Sequence, residues 1–229
     1  MRLAQDEAPE QETPAGTDVV FRLAAAGFQA ARETLAELRD DIVFEDSPAP
    51  RRIAPYAAAM GATVYRGGQA SAGQGSAGQA GADEGSADED EEIGTGRLVL
   101  LYDPDGQPGW TGVFRLVAFV RAEVEEEIAA DPLLGEVGWS WLTDALETHA
   151  PGYTAPSGTV TRVITEGFGA KSDEPPRTEF ELRASWSPPE DTDLGVNVAA
   201  WFDLLAAAAG LPAQPPGTTA LRPGGRRHR

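Results

Sequence analysis

The sequence predicts an α+β fold: an antiparallel sheet of about four strands, built as two hairpins, with helices packed mainly on one face. Three observations predict it. Two apolar, β-branched stretches are each split by turn residues, which is the signature of a hairpin. A helical periodicity lies between them, and two more open and close the folded region. Hairpins separated by a helix bury one face of an antiparallel sheet and leave its partner face to solvent.

The elements follow in order. From Asp18 to Arg39, Val20, Leu23, Phe28, Ala31, Leu35 and Leu38 recur at helical spacing, with Thr17 or Asp18 as N-cap and Asp40-Asp41 ending the pattern. Pro48, Pro50 and Pro55 then impose an extended course. A short Ala-rich helix is expected after them, ending near Gly61. Arg97–Tyr102 reads as a buried strand, Asp103-Pro-Asp-Gly106 as a turn, and 110–122 as the returning strand.

Residues 139–149 form the next helix, with Val137, Trp141, Leu142 and Ala145 on one side. Residues 158–168 are Thr- and Val-rich, hence strand. Residues 178–186 alternate, with Phe180, Leu182, Ala184 and Trp186 on one face. The last helix, 193–209, turns Val198, Trp201, Phe202 and Leu205 to the core and stops at Gly210, with Pro212 beyond.

Three segments lack the apolar content to fold and are expected to be disordered. Residues 1–16 form an acidic tail, 67–96 a Gly/Ala/Ser insert ending in acids, and 211–229 a Pro/Gly/Arg tail. The domain is thus 17–210, interrupted by the insert, whose removal should change stability little.

Composition bounds the function. The 229 residues carry a net charge of −19, no Cys and two His. No thiolate chemistry, Cys-based metal site or multi-histidine site is available, and no cofactor or metal is expected. The acidity argues against nucleic acid and against anionic membranes. No stretch is apolar enough to span a bilayer or serve as a secretory leader, so the expected location is the cytoplasm.

The segments DSPAPRRIAPYAAAM, GRLVLLYDPDGQPGWTGVFRLVAFVRAE, VGWSWLTDALE, SGTVTR, ELRASWSP and AWFDLLAAAAGLP together resemble the actinobacterial family filed as domain of unknown function 3000. Arg far outnumbers Lys, as suits that source. The resemblance spans roughly residues 18–212 apart from the insert. It implies an actinobacterial, cytosolic protein and carries no activity, ligand or catalytic residue with it.

No catalytic constellation emerges. Gly73-x-Gly75-x-x-Gly78 lies inside the low-complexity insert, without the strand and helix that a dinucleotide loop needs. Asp103-Pro-Asp105-Gly106 opens like a calcium loop but lacks the later ligands, Phe114 standing where the closing Glu belongs. The acids at 123–131 read as a solvated face. His149, at a helix end, reads as structural.

The arginines say more. Arg115 and Arg162 each fall among apolar residues on a strand, where a guanidinium must find an acceptor. With Arg51 and Arg52 they form the candidate cluster for a small anionic ligand. Trp139 and Trp141 cannot share one helix face, so one of them, Trp139, is the candidate partner anchor. The leading expectation is a non-catalytic interaction module with an unknown protein partner. The alternative is a binding protein or enzyme for a small anion held by the arginines.

Overall fold

The Ala-rich stretch between Pro55 and Val64 is a strand, paired on both sides, and this sets the width of the sheet. A computed structural model describes residues 15–66, 91–189 and 191–213 of the chain. Helix α1 (Ala15–Ala36) leads into β1 (Ile42–Asp46), β2 (Tyr56–Tyr65), β3 (Glu92–Tyr102) and β4 (Phe114–Glu123). A short α2 (Glu126–Ala130) and α3 (Leu134–His149) follow. Then come β5 (Thr154–Thr165), a single 3₁₀ turn, β6 (Arg177–Ser187) and α4 (Gly195–Ala208).

All neighbouring strands are antiparallel, in the order β1-β2-β3-β4-β6-β5. Both expected hairpins are present, β3–β4 and β5–β6. The sheet nevertheless has six strands, not about four. The two additions are β1, expected only as extended chain, and β2, expected as a short helix. Helices that short are marginal by themselves. As a strand, β2 pairs along its length with β3 and also with β1, and places Met60, Ala62 and Val64 in the core.

Two boundaries also move. β3 begins at Glu92, so 92–96, assigned to the insert, are paired strand with Ile93 buried. Residues 15–16 start α1, and Leu211 packs against the core. Glu91 pairs with Arg66, and the Pro212 carbonyl accepts from Arg39. Residues 1–14, 67–90 and 214–229 of the three segments expected to be disordered, with the Gly73–Gly78 motif, lie outside the described residues.

Alternation assigns the faces. Phe44, Met60, Leu98, Leu116, Phe180 and Trp186 all point to one side, where α1, α3 and α4 lie. α4 crosses the middle strands. A Cβ on Gly96 would come within 2.7 Å of the Trp201 ring, so only glycine lets α4 sit that close. Phe202 stacks on Phe44 at 5.8 Å, and the Trp186 indole N–H donates to Asn197 Oδ1 at 2.8 Å, both residues fully buried.

α1 covers one end through Phe21, which packs on Tyr56 and Tyr102. Its stripe is therefore Phe21, Ala24, Phe28, Ala31 and Leu35, while the expected Val20 and Leu23 face solvent. α4 ends in a Schellman motif: Leu211 N–H donates to Ala206, Gly210 N–H to Ala207, and Gly210 takes φ +70°. Among the described residues the opposite face of the sheet carries no helix. There Arg97 donates to the Pro48 carbonyl and Gln107 to that of Ile53, drawing the 47–55 connection against it.

Candidate functional site

On the helix-free face β4 presents Arg115, Val117, Phe119 and Arg121. Phe119 lies under the Arg183 guanidinium of β6 at 5.1 Å, and Arg121 is ion-paired with Glu179. Arg115 differs from both. It is 6% exposed, and its hydrogen bonds go to hydroxyls: Nη2 donates to Ser185 at 2.8 Å and Ser157 at 3.3 Å, Nη1 to Ser187 at 3.3 Å. Among the described residues it has no carboxylate partner. Burial lowers its pKa from the ordinary arginine value, as expected for a desolvated cation.

The neighbourhood of Arg115 is shaped by two irregularities. β5 slips register between Thr154 and Ser157, with Ala155 at φ +48°, and resumes pairing with Ser157 opposite Ser185. In the β3–β4 connection the Thr111 N–H donates to Ser187 Oγ at 3.0 Å. Two strands thus bring hydroxyls to the guanidinium that β4 carries, and the loop holds one of those hydroxyls.

The other candidates lie elsewhere. Arg162 sits on the helix side of β5, where Nη1 donates to the Ala129 and Asp131 carbonyls at 2.8 and 3.1 Å, tying α2 to the sheet. Arg115 and Arg162 are therefore on opposite faces. Arg51 and Arg52 are exposed in the β1–β2 connection, Arg52 at φ +69°, and no hydrogen bond links them to Arg115. The four arginines are not brought together.

Trp139 is half-buried, its ring against Gly158 of β5, where an added Cβ would meet it at 2.8 Å. Trp141 packs edge-on against Phe180 at 5.4 Å. Both tryptophans thus pack against the core. His149 Nε2 lies 2.6 Å from Asp203 Oδ2, bridging α3 to α4. Asp103-Pro-Asp-Gly106 closes as a turn, with Gly106 N–H on the Asp103 carbonyl and φ +68°. Among the described residues no group of His or acidic side chains is disposed to hold a metal ion.

Two clefts open on the helix side. One of about 580 Å³ runs between α1 and β1 past Arg32, Arg39 and Phe44. The other, about 260 Å³, lies between α3 and α4 beside Trp141 and Asp203. Their arginines are engaged: Arg32 with Asp46 at 2.6 Å, Arg39 with Asp41 at 2.7 Å.

Among the described residues β5 has no strand partner on its outer side. It is an edge strand of 12 residues, mostly exposed, with Thr159, Val160, Thr161, Val163 and Ile164 in its paired length. Its one cation, Arg162, is folded back onto α2. Ile164 and Phe168 are 65% and 80% exposed, and Ile128 on α2 and Leu133 before α3 are exposed as well. The other edge, β1, has five residues and ends in Glu45-Asp46. Sequence reasoning missed this edge because strand order is not written in periodicity. It missed Ser157, Ser185 and Ser187 as well, although Ser185-x-Ser187 places two hydroxyls on the Arg115 side of one strand.

A family model described as "Protein of unknown function (DUF3000)" matches residues 24–219, most of the chain. The chain belongs to the DUF3000 family. The DUF3000 match runs from within α1 to beyond α4 and so includes Arg115, its three serines and the β5 edge. No curated protein matches the chain, and no solved structure does. No helix among the described residues is long and apolar enough to cross a membrane.

Proposed function

We propose that this chain is a non-catalytic protein-interaction module that takes an extended segment of a partner protein along the free edge of β5. The observation that carries the reading is the contrast between the two sheet edges. An unpaired strand edge offers a row of N–H and C=O groups to any extended chain, and proteins ordinarily blunt it with short length or charge. β1 is blunted in both ways and β5 in neither. The exposed Ile164, Phe168 and Ile128 beside β5 call for a partner segment with apolar side chains on one face. We place the module in the cytoplasm of an actinobacterium, a source that the Arg-over-Lys usage supports.

The test compares the tagged full-length protein with its Ile164→Lys, Phe168→Lys variant, purified from host cells. A partner that copurifies in stoichiometric amount, is lost from the variant and slows amide exchange in β5 on reconstitution is the expected result. A partner that binds the variant equally, or leaves β5 amides unprotected, overturns the reading. So does a wild-type protein that elutes alone as a monomer. A wild-type dimer with protected β5 amides overturns the hetero-partner assignment and puts a second copy on the edge. The four-arginine site for a small anion is not the reading the geometry favours, because Arg115 and Arg162 face opposite ways.

A further inference from the structure

We infer that Arg115, Ser157, Ser185 and Ser187 form a binding subsite for a single oxyanion, the phosphate or carboxylate group of a small ligand. The argument is one of donors and acceptors. Ser187 Oγ accepts from Arg115 Nη1 and from the Thr111 N–H, which occupies both lone pairs and leaves its hydrogen to be donated. Among the described residues no acceptor receives that hydrogen, and Ser187 is fully buried. Ser157 and Ser185 both accept from Arg115 Nη2 and share one bond at 3.3 Å, so one of their two hydrogens is also unspent.

The cluster therefore holds a buried cation with no carboxylate and, on Ser187, a buried O–H with no acceptor among the described residues, while the second unspent O–H, on Ser157 or Ser185, lies on the solvent side. A buried guanidinium with no counter-ion is costly, as are buried donors without acceptors. An anionic oxygen answers both deficits at once, and charge-assisted bonds to it are the strong kind. Arg121, the other arginine that β4 presents on this face, shows the contrast, since it is neutralised by Glu179. Ser157 is exposed and Ser185 half-exposed, so solvent reaches the cluster from their side, while Arg115 and Ser187 are buried beneath. The β5 irregularity at Ala155, a strained residue, delivers Ser157 into this register.

The experiment titrates the full-length protein with inorganic phosphate, with acetate and, as control, with chloride at matched ionic strength. Melting temperature and backbone amide resonances are followed. The expected result is a saturable rise in melting temperature with phosphate or acetate, with the largest shifts at the Thr111 and Ser187 amides. Arg115→Met should abolish the response. Ser157→Ala, at an exposed position that the fold does not need, should weaken the affinity several-fold and so serves even if the Arg115 variant fails to fold. Phosphate indicates a tetrahedral group in the native ligand if it binds tighter, acetate a planar one. A chloride response of equal size, an undiminished response in Ser157→Ala, or no saturable response to either oxyanion overturns the inference.

Discussion

Asn197 is the only asparagine in the chain, and it is spent inside the core on the Trp186 indole N–H. Replacing it with Ala leaves that buried donor without an acceptor, which costs about 1–3 kcal/mol. Chemical denaturation of Asn197→Ala should show a loss in that range, with Trp186 fluorescence altered. Gly96→Ala acts by sterics, because the new Cβ would collide with Trp201 and crowd Leu205. Overpacking of a tight core costs roughly 1–3 kcal/mol, and the same denaturation assay measures it. Both residues are legible only in part. The helical pattern places Trp201 inward, but nothing in the spacing says that the glycine facing it is obligatory.

At the scale of elements, the β2–β3 hairpin closes at Arg66 and Glu91. The Arg66 N–H donates to the Glu91 carbonyl at 2.9 Å, and their side chains form a 2.7 Å ion pair. Replacing 67–90 by a two-residue Asn-Gly turn is therefore expected to keep the fold and leave the melting temperature equal or higher, since loop-closure entropy grows only slowly with length. Extending the deletion through Gly94 should instead lower it clearly, because Ile93 is buried and β3 loses its first residues. At the end of α4, Gly210 occupies the left-handed region, so Gly210→Ala should cost about 1 kcal/mol, read from the same melting curves.

For the whole molecule, the alkaline limit of stability has a specific cause. Burial, with Tyr56 and Asp103 adding to it, raises the Tyr102 phenol above its ordinary 10.0. Burial together with Glu147 and Asp144 does the same for Tyr153. Above pH about 10 the unfolded chain therefore holds fewer protons than the folded one, and stability falls as pH rises. Tyr102→Phe should flatten that fall in melting temperature between pH 9 and 11 (an order-of-magnitude window around the free phenol value). A slope identical to wild type would count against this account. The net charge of −19 adds self-repulsion, so salt should raise the melting temperature at neutral pH.

Periodicity by itself determined the three long helices, both hairpins and, in β6, the side of the strand that faces the core, because burial writes a period of 3.6 or 2 directly into the sequence. Even there α1 shows the limit: Leu23 obeys the helical spacing yet stays exposed, since Phe21 rather than Leu23 meets Tyr56. Tertiary structure decided the rest. Ala57–Ala62 has helix-forming composition, but two neighbouring strands supply it with backbone partners that a six-residue helix could not match. It also decided that Arg162 answers to carbonyls of α2 while Arg115 meets only serines. Those serines lie 42 to 72 residues away along the chain. Strand order, which no local pattern encodes, is what brings them to one guanidinium and leaves β5 at the open edge.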